Sequence, residues 1–162
     1  MKQWNKRSNE IAFLLNPAFC GRLLYSTINK YNQETNRPFP IVLTYLVLPL
    51  LLHKRSRDAI DSRTQMLIWI QRNESLLVNF SERAKQLVPV TNEAIEMLLQ
   101  SNCIHLTSAA DLEVNPMIRA LSKTRFTDIE VKDCLSKGEH LARWFARAGK
   151  AETIYIALGV RP

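Results

Sequence analysis

Residues 39–52 form an apolar run broken by little except Thr44 and Pro49. A membrane span needs about 20 consecutive apolar residues, so a run of 14 is too short. It predicts a helix that is apolar nearly all round and therefore buried at the centre of a fold. Other helices must then surround it. With only 4 glycines in 162 residues, the chain has few flexible turns, and the expected fold class is mainly α.

The pattern on either side agrees. Asn16-Pro17 is a helix start, because Asn caps free N–H groups and Pro fits the first turn. Phe19, Leu23, Leu24, Ile28 and Tyr31 then fall on one face, and the helix should stop within the polar residues 32–37. Asn9-Glu10 opens a short apolar stretch, residues 11–15, ahead of it. Pro38-Phe39-Pro40 begins the apolar helix, Pro49 should kink it, and Phe39, Tyr45 and Leu48 read as core. Residues 53–61 read as a charged connection, and Ser62 as the cap of a helix through Arg72. A further helix restarts at Asn73-Glu74, carries Leu76, Leu77, Phe80, Ala84 and Leu87 inward, and should end at Pro89.

Thr91 then caps a short helix, residues 92–101, that runs into strand-like residues 103–107, a turn and a return strand at 112–114. Helix, turn, helix and β-hairpin is the order of a winged helix-turn-helix, with the hairpin as its wing. Thr127 and Glu130 match a capping box ahead of a long helix ended by Gly149, with a final helix stopping at Gly159. The expected organisation is one domain over 1–162. It divides into N-terminal helices at 1–61, a winged-helix portion at 62–115 and C-terminal helices at 116–162.

The charge balance, 22 Lys+Arg against 15 Asp+Glu for a net +7, favours acidic partners. Two basic sets stand out. Lys54, Arg55, Arg57 and Arg63 crowd one segment and are the candidate nucleic-acid contacts. Lys132, Lys137, Arg143, Arg147 and Lys150 lie along the long C-terminal helix, where a solvated face is the plainer reading. Trp144 falls off the inward stripe of that helix, and with Arg143 and Arg147 it is the candidate partner interface. The expected recognition helix presents Glu93 and Glu96 with no Arg or Lys, which suits a protein partner better than DNA.

Nothing reads as catalytic. His53, His105 and His140 are scattered, Cys20, Cys103 and Cys134 lie far apart, and no phosphate-cradling glycine loop or nucleophile motif occurs. The expectation is a non-enzyme with no catalytic, cofactor-binding or metal-ligating residue. Three sparse cysteines read as reduced thiols, which places the chain in the cytoplasm. The basic, polar N-terminus lacks the apolar stretch of a secretory signal, and no membrane association is expected.

The N-terminal third carries short marks of a known kind: Asn9-Glu10, Asn16-Pro17, Pro38-Phe39-Pro40 and Leu48-Pro49-Leu50-Leu51-Leu52. With the closing Leu158-Gly159-Val160-Arg161-Pro162, they resemble the middle components of bacterial three-component ABC systems. The resemblance implies an adaptor subunit between an SMC-like ABC ATPase and an effector, often a nuclease, in prokaryotic antiphage or anti-plasmid defence. Lamassu-type systems are the relatives it points to. It implies auxiliary contact with double-stranded DNA through the complex, and it carries no catalytic motif onto this chain. The competing reading is a winged-helix DNA-binding transcriptional regulator.

Overall fold

The computed structural model describes residues 15–118, 121 and 125–161. Within them lie eight α-helices and one two-stranded antiparallel sheet, a mainly helical fold. Among the described residues no helix is long and apolar enough to cross a membrane. The stretch expected from Ile11 falls outside them, apart from Leu15.

Helix α1, Pro17–Thr35, starts where the sequence signals it. Asn16 is extended, and its side chain accepts the Ala18 N–H at 2.9 Å. It ends at Asn36, which takes a left-handed conformation and returns its N–H to the Asn32 carbonyl. Leu23, Leu24, Ile28 and Tyr31 are buried along its length, as the spacing predicts.

The apolar run is core, but its entry differs from expectation. Phe39 does not begin a helix. A residue that precedes proline is pushed toward extended backbone, and Phe39 precedes Pro40. It pairs with Leu112 through two 2.8 Å hydrogen bonds, and its ring packs edge-on to Tyr31. A 3-10 turn, Ile41–Leu43, follows, and helix α2 spans Thr44–Leu51 with Pro49 inside it. Leu46, Leu48, Leu50 and Leu51 are fully buried.

Residues 53–61 are not a loop. They hold helix α3, Lys54–Ala59, capped by His53. Ser62 does not cap the next helix either. Asp61 makes the turn, accepting from the Arg63 N–H and the Thr64 hydroxyl, and helix α4 begins only at Met66 and runs to Arg72. Helix α5, Glu74–Leu77, is cut short at Asn79, which sits at φ 60°.

Pro89 does not end its helix. Helix α6, Phe80–Gln100, runs straight through it. An interior proline costs about 3 kcal/mol. Burying one large apolar side chain returns about 1.5–3 kcal/mol, and α6 buries Phe80, Val90, Ile95 and Leu98 against α1 and α2. Packing therefore outweighs the proline. Thr91, expected to cap a second helix, is a fully buried residue inside this one. The expected winged helix-turn-helix is left without its turn, and the supposed recognition helix is the second half of a single rod.

Strands β1, Ile104–Leu106, and β2, Leu112–Val114, form the expected hairpin in the register Ile104↔Val114, His105↔Glu113, Leu106↔Leu112. It does not stand clear as a wing. Phe39 pairs with β2, and Asn32 on α1 accepts the Val114 N–H at 3.1 Å. Helix α7, Ile129–Ala148, is capped by Asp128, whose carboxylate accepts the Val131 N–H, in place of the Thr127–Glu130 box. Glu130 is engaged elsewhere. Gly149 at φ 88° turns the chain into helix α8, Ala151–Ala157. Helix α1 lies between α7 and α6 at the centre of one apolar cluster.

Candidate interaction surfaces

Helix α3 carries most of the first basic set. His53 Nδ1 accepts the Ser56 N–H at 3.3 Å and lies 2.7 Å from the Ser56 hydroxyl, which holds the first turn. Acceptance at Nδ1 requires a ring unprotonated at that nitrogen. Burial, with the charges of Arg83 and Arg55, pushes the His53 pKa down and favours that state.

The structure separates Arg57 from Lys54, Arg55 and Arg63. Those three are exposed, whereas Arg57 is buried to 3% exposure. Its guanidinium donates to the Leu51 carbonyl at 2.7 Å, to Glu130 at 2.6 Å and to Asp133 at 3.1 Å. It thus closes the end of α2 and bolts α3 to α7. The fork geometry of arginine suits three acceptors at once. Its inward position corrects the expectation that it faces a nucleic acid.

Around that bolt is a surface recess of about 480 Å³ holding Lys54, Arg57 and Lys137 with Asp58, Glu130 and Asp133. Lys54 pairs with Asp58 at 3.0 Å, and Lys137 reaches the Ile60 carbonyl. Cations and carboxylates balance there. Arg55 and Arg63 make no ion pair within 4 Å among the described residues, so they are the members of the set not bonded to a carboxylate. Nothing in the spacing of charges along the chain distinguished Arg57 from them; only the carboxylates brought by α7 do.

Trp144 is likewise internal, at 4% exposure. Its indole N–H donates to the Thr64 carbonyl at 2.7 Å, and its ring lies 5.4 Å from that of Trp69. Trp69 in turn donates to the Ala59 carbonyl at 2.8 Å. The two tryptophans tether the 59–64 segment to α7, a pairing of residues 75 apart that sequence reasoning missed. Trp144 falls off the inward stripe because α7 is covered on a second side by α4. It is not a free anchor, yet it lines a small recess of about 130 Å³ with Leu67 and Arg147. Arg147 is exposed, and Arg143 pairs with Glu34 at 3.4 Å. Exposed Leu67, Ile68 and Val78 lie on and beyond α4.

All three cysteines are buried thiols. Burial pushes Cys20 up to about 12 and also raises Cys134, against the opposing charge of Arg57. Both are held protonated and unreactive at neutral pH. Among the described residues, no three His, Cys, Asp or Glu side chains are gathered as metal ligands.

Residues 4–162 match the family described as ABC-three component (ABC-3C) system Middle Component 3. The chain belongs to that family. No curated protein and no solved structure matches this middle component. Membership makes it one part of a multi-component ABC system, so partner proteins are implied.

Proposed function

We propose that this middle component is a non-enzymatic adaptor that links an SMC-like ABC ATPase to an effector, a nuclease by the resemblance. The family match over residues 4–162 carries the reading. Nucleotide turnover and cleavage fall to the partners, and this chain contributes surfaces. Leu67 and Arg147 border the Trp144 recess, and Ile68, the next residue along α4, is exposed as well. Isolated exposed apolar residues are ordinary, but a group beside a recess with a cationic edge fits a protein partner. We assign the system to antiphage or anti-plasmid defence of Lamassu type on the sequence resemblance, and to the cytoplasm on the three sparse cysteines. Auxiliary contact with double-stranded DNA falls to Arg55 and Arg63, with Lys54 beside them. Arg57 has no part in it.

The test is co-expression of the tagged full chain with the two other components, followed by size-exclusion chromatography at moderate salt. Co-elution of all three is expected. A chain that elutes alone and binds a DNA sequence selectively, with affinity falling as salt rises, would replace the adaptor with a regulator. Within an assembled complex, the triple variant Lys54→Glu, Arg55→Glu, Arg63→Glu should weaken DNA engagement without loss of the fold. Unchanged DNA binding removes this surface from the proposal.

A further inference from the structure

A groove of about 280 Å³ lies between α2, α6 and α8. Its apolar lining includes Val42, Leu46, Val88 and Tyr155, and its charged lining among the described residues is Lys85 and Arg161. Val42 and Val88 remain 39% and 36% exposed, and Ile156 beside Tyr155 is 77% exposed. We propose that this groove receives an amphipathic helix, with carboxylates flanking its apolar face, from another component of the same system. The proposal rests on the adaptor reading and adds to it the chemistry of one partner segment.

Three observations select that occupant. At about 280 Å³ the groove has room for a few side chains delivered by a partner. Its polar floor is already satisfied: the Tyr155 hydroxyl donates to the Val42 carbonyl at 2.6 Å, and the Tyr45 hydroxyl donates to Asn92 at 2.8 Å. Apolar side chains seated over that floor leave none of its hydroxyl donors unsatisfied. Neither Lys85 nor Arg161 makes an ion pair within 4 Å among the described residues, so both can pair with carboxylates. An apolar helix face seated between walls, with charges at the rim, is the helix-in-groove mode of recognition. A second copy of this chain fits poorly, since its net charge is +7 and a two-fold contact would bring the same cationic patch onto itself.

The experiment titrates each of the two other components, purified, against the labelled full chain by fluorescence anisotropy. Val88→Arg blocks the groove, and Lys85→Glu with Arg161→Glu reverses its rim; thermal melts check that each variant remains folded. One component should bind the wild type, and both variants should weaken it about tenfold or more. Hydrogen exchange on the complex should slow at residues 84–88 and 154–160. A component that binds both variants as tightly as the wild type overturns the groove while leaving the adaptor reading standing. If neither component binds the wild type, the adaptor reading fails and the groove proposal fails with it. Wild-type self-association in sedimentation, abolished by Val88→Arg, would give the groove to a second copy and overturn the proposal.

Discussion

Gly138 on α7 faces Thr27 on α1 so closely that a β-carbon added to the glycine would lie 2.9 Å from the Thr27 hydroxyl oxygen. That hydroxyl is fully buried and donates to the Leu23 carbonyl at 3.0 Å. It has nowhere to retreat. Gly21, on α1 against α6, has an even nearer neighbour at 2.6 Å, but that atom is the terminal methyl of Met97, the free end of a flexible side chain. Gly138→Ala should therefore destabilise by up to about 2 kcal/mol, the overpacking cost less the roughly 1 kcal/mol helix preference of alanine. Gly21→Ala should lie near neutral, its crowding offset by the roughly 1 kcal/mol helix preference of alanine. Chemical denaturation of both variants decides it. A Gly138→Ala variant as stable as the wild type would mean that α1 and α7 can shift apart at little cost.

Pro89 is exposed inside α6, so its ring contributes little packing while its missing N–H leaves a gap in the helix ladder. Pro89→Ala should raise stability by about 2 kcal/mol, the helix gain reduced by the looser unfolded chain. A fall in the denaturation midpoint would show that Pro89 shapes α6 for the packing of Val90 and Thr91.

Removing Arg57 leaves the Leu51 carbonyl, Glu130 and Asp133 without their shared donor. Arg57→Ala should cost about 3 kcal/mol, the lower end for a broken buried pair because both carboxylates keep solvent contact. The triple variant Arg57→Met, Glu130→Gln, Asp133→Asn should recover most of that loss. If it recovers none, the contribution of Arg57 lies in its bond to Leu51. Arg57→Glu would place a third carboxylate beside two others, so it tests the fold and says nothing about DNA.

The His53 cap has a pH dependence of defined sign. Its folded pKa is pushed below the ordinary 6.5, first by burial and then by Arg83 and Arg55. His140 shifts the same way, by burial and then Arg143. The unfolded chain therefore takes up protons before the folded one. The stabilisation is complete above about pH 6.5 and is lost as pH falls through the folded values. Glu34, lowered by its bond to Lys30, and Asp61, lowered by the Arg63 N–H, add their own loss only further into acid. Melting temperature measured from about pH 8 to 5 should drop, and His53→Asn, a neutral cap, should flatten part of that slope. An unchanged slope would exclude His53 as a contributor.

Where an element's signals are local, they are legible along the chain. Asn16-Pro17, the 3.6-residue stripe through Tyr31, the buried run at Leu46–Leu51, the hairpin strands and the stops at Gly149 and Gly159 all depend on residues within a turn or two of one another. Two misreadings came where a local rule met a distant partner. The helix-breaking tendency of Pro89 is overridden by the packing of α6 on α1 and α2. Glu130 leaves its capping role for Arg57, and Asp128 caps the helix in place of Thr127.

The same division runs through the candidate surfaces. Sequence by itself determined a mainly helical fold, a buried apolar helix, a cationic chain and membership of the middle-component family. Tertiary structure alone decided that Arg57 and Trp144 turn inward while Arg55, Arg63 and Arg147 stay outside, and that Val42, Val88 and Tyr155 border one groove. Backbone preference and apolar periodicity are written within a few residues, whereas the exposure of a given Arg or Trp depends on which carboxylate, carbonyl or ring the fold carries to it from elsewhere in the chain.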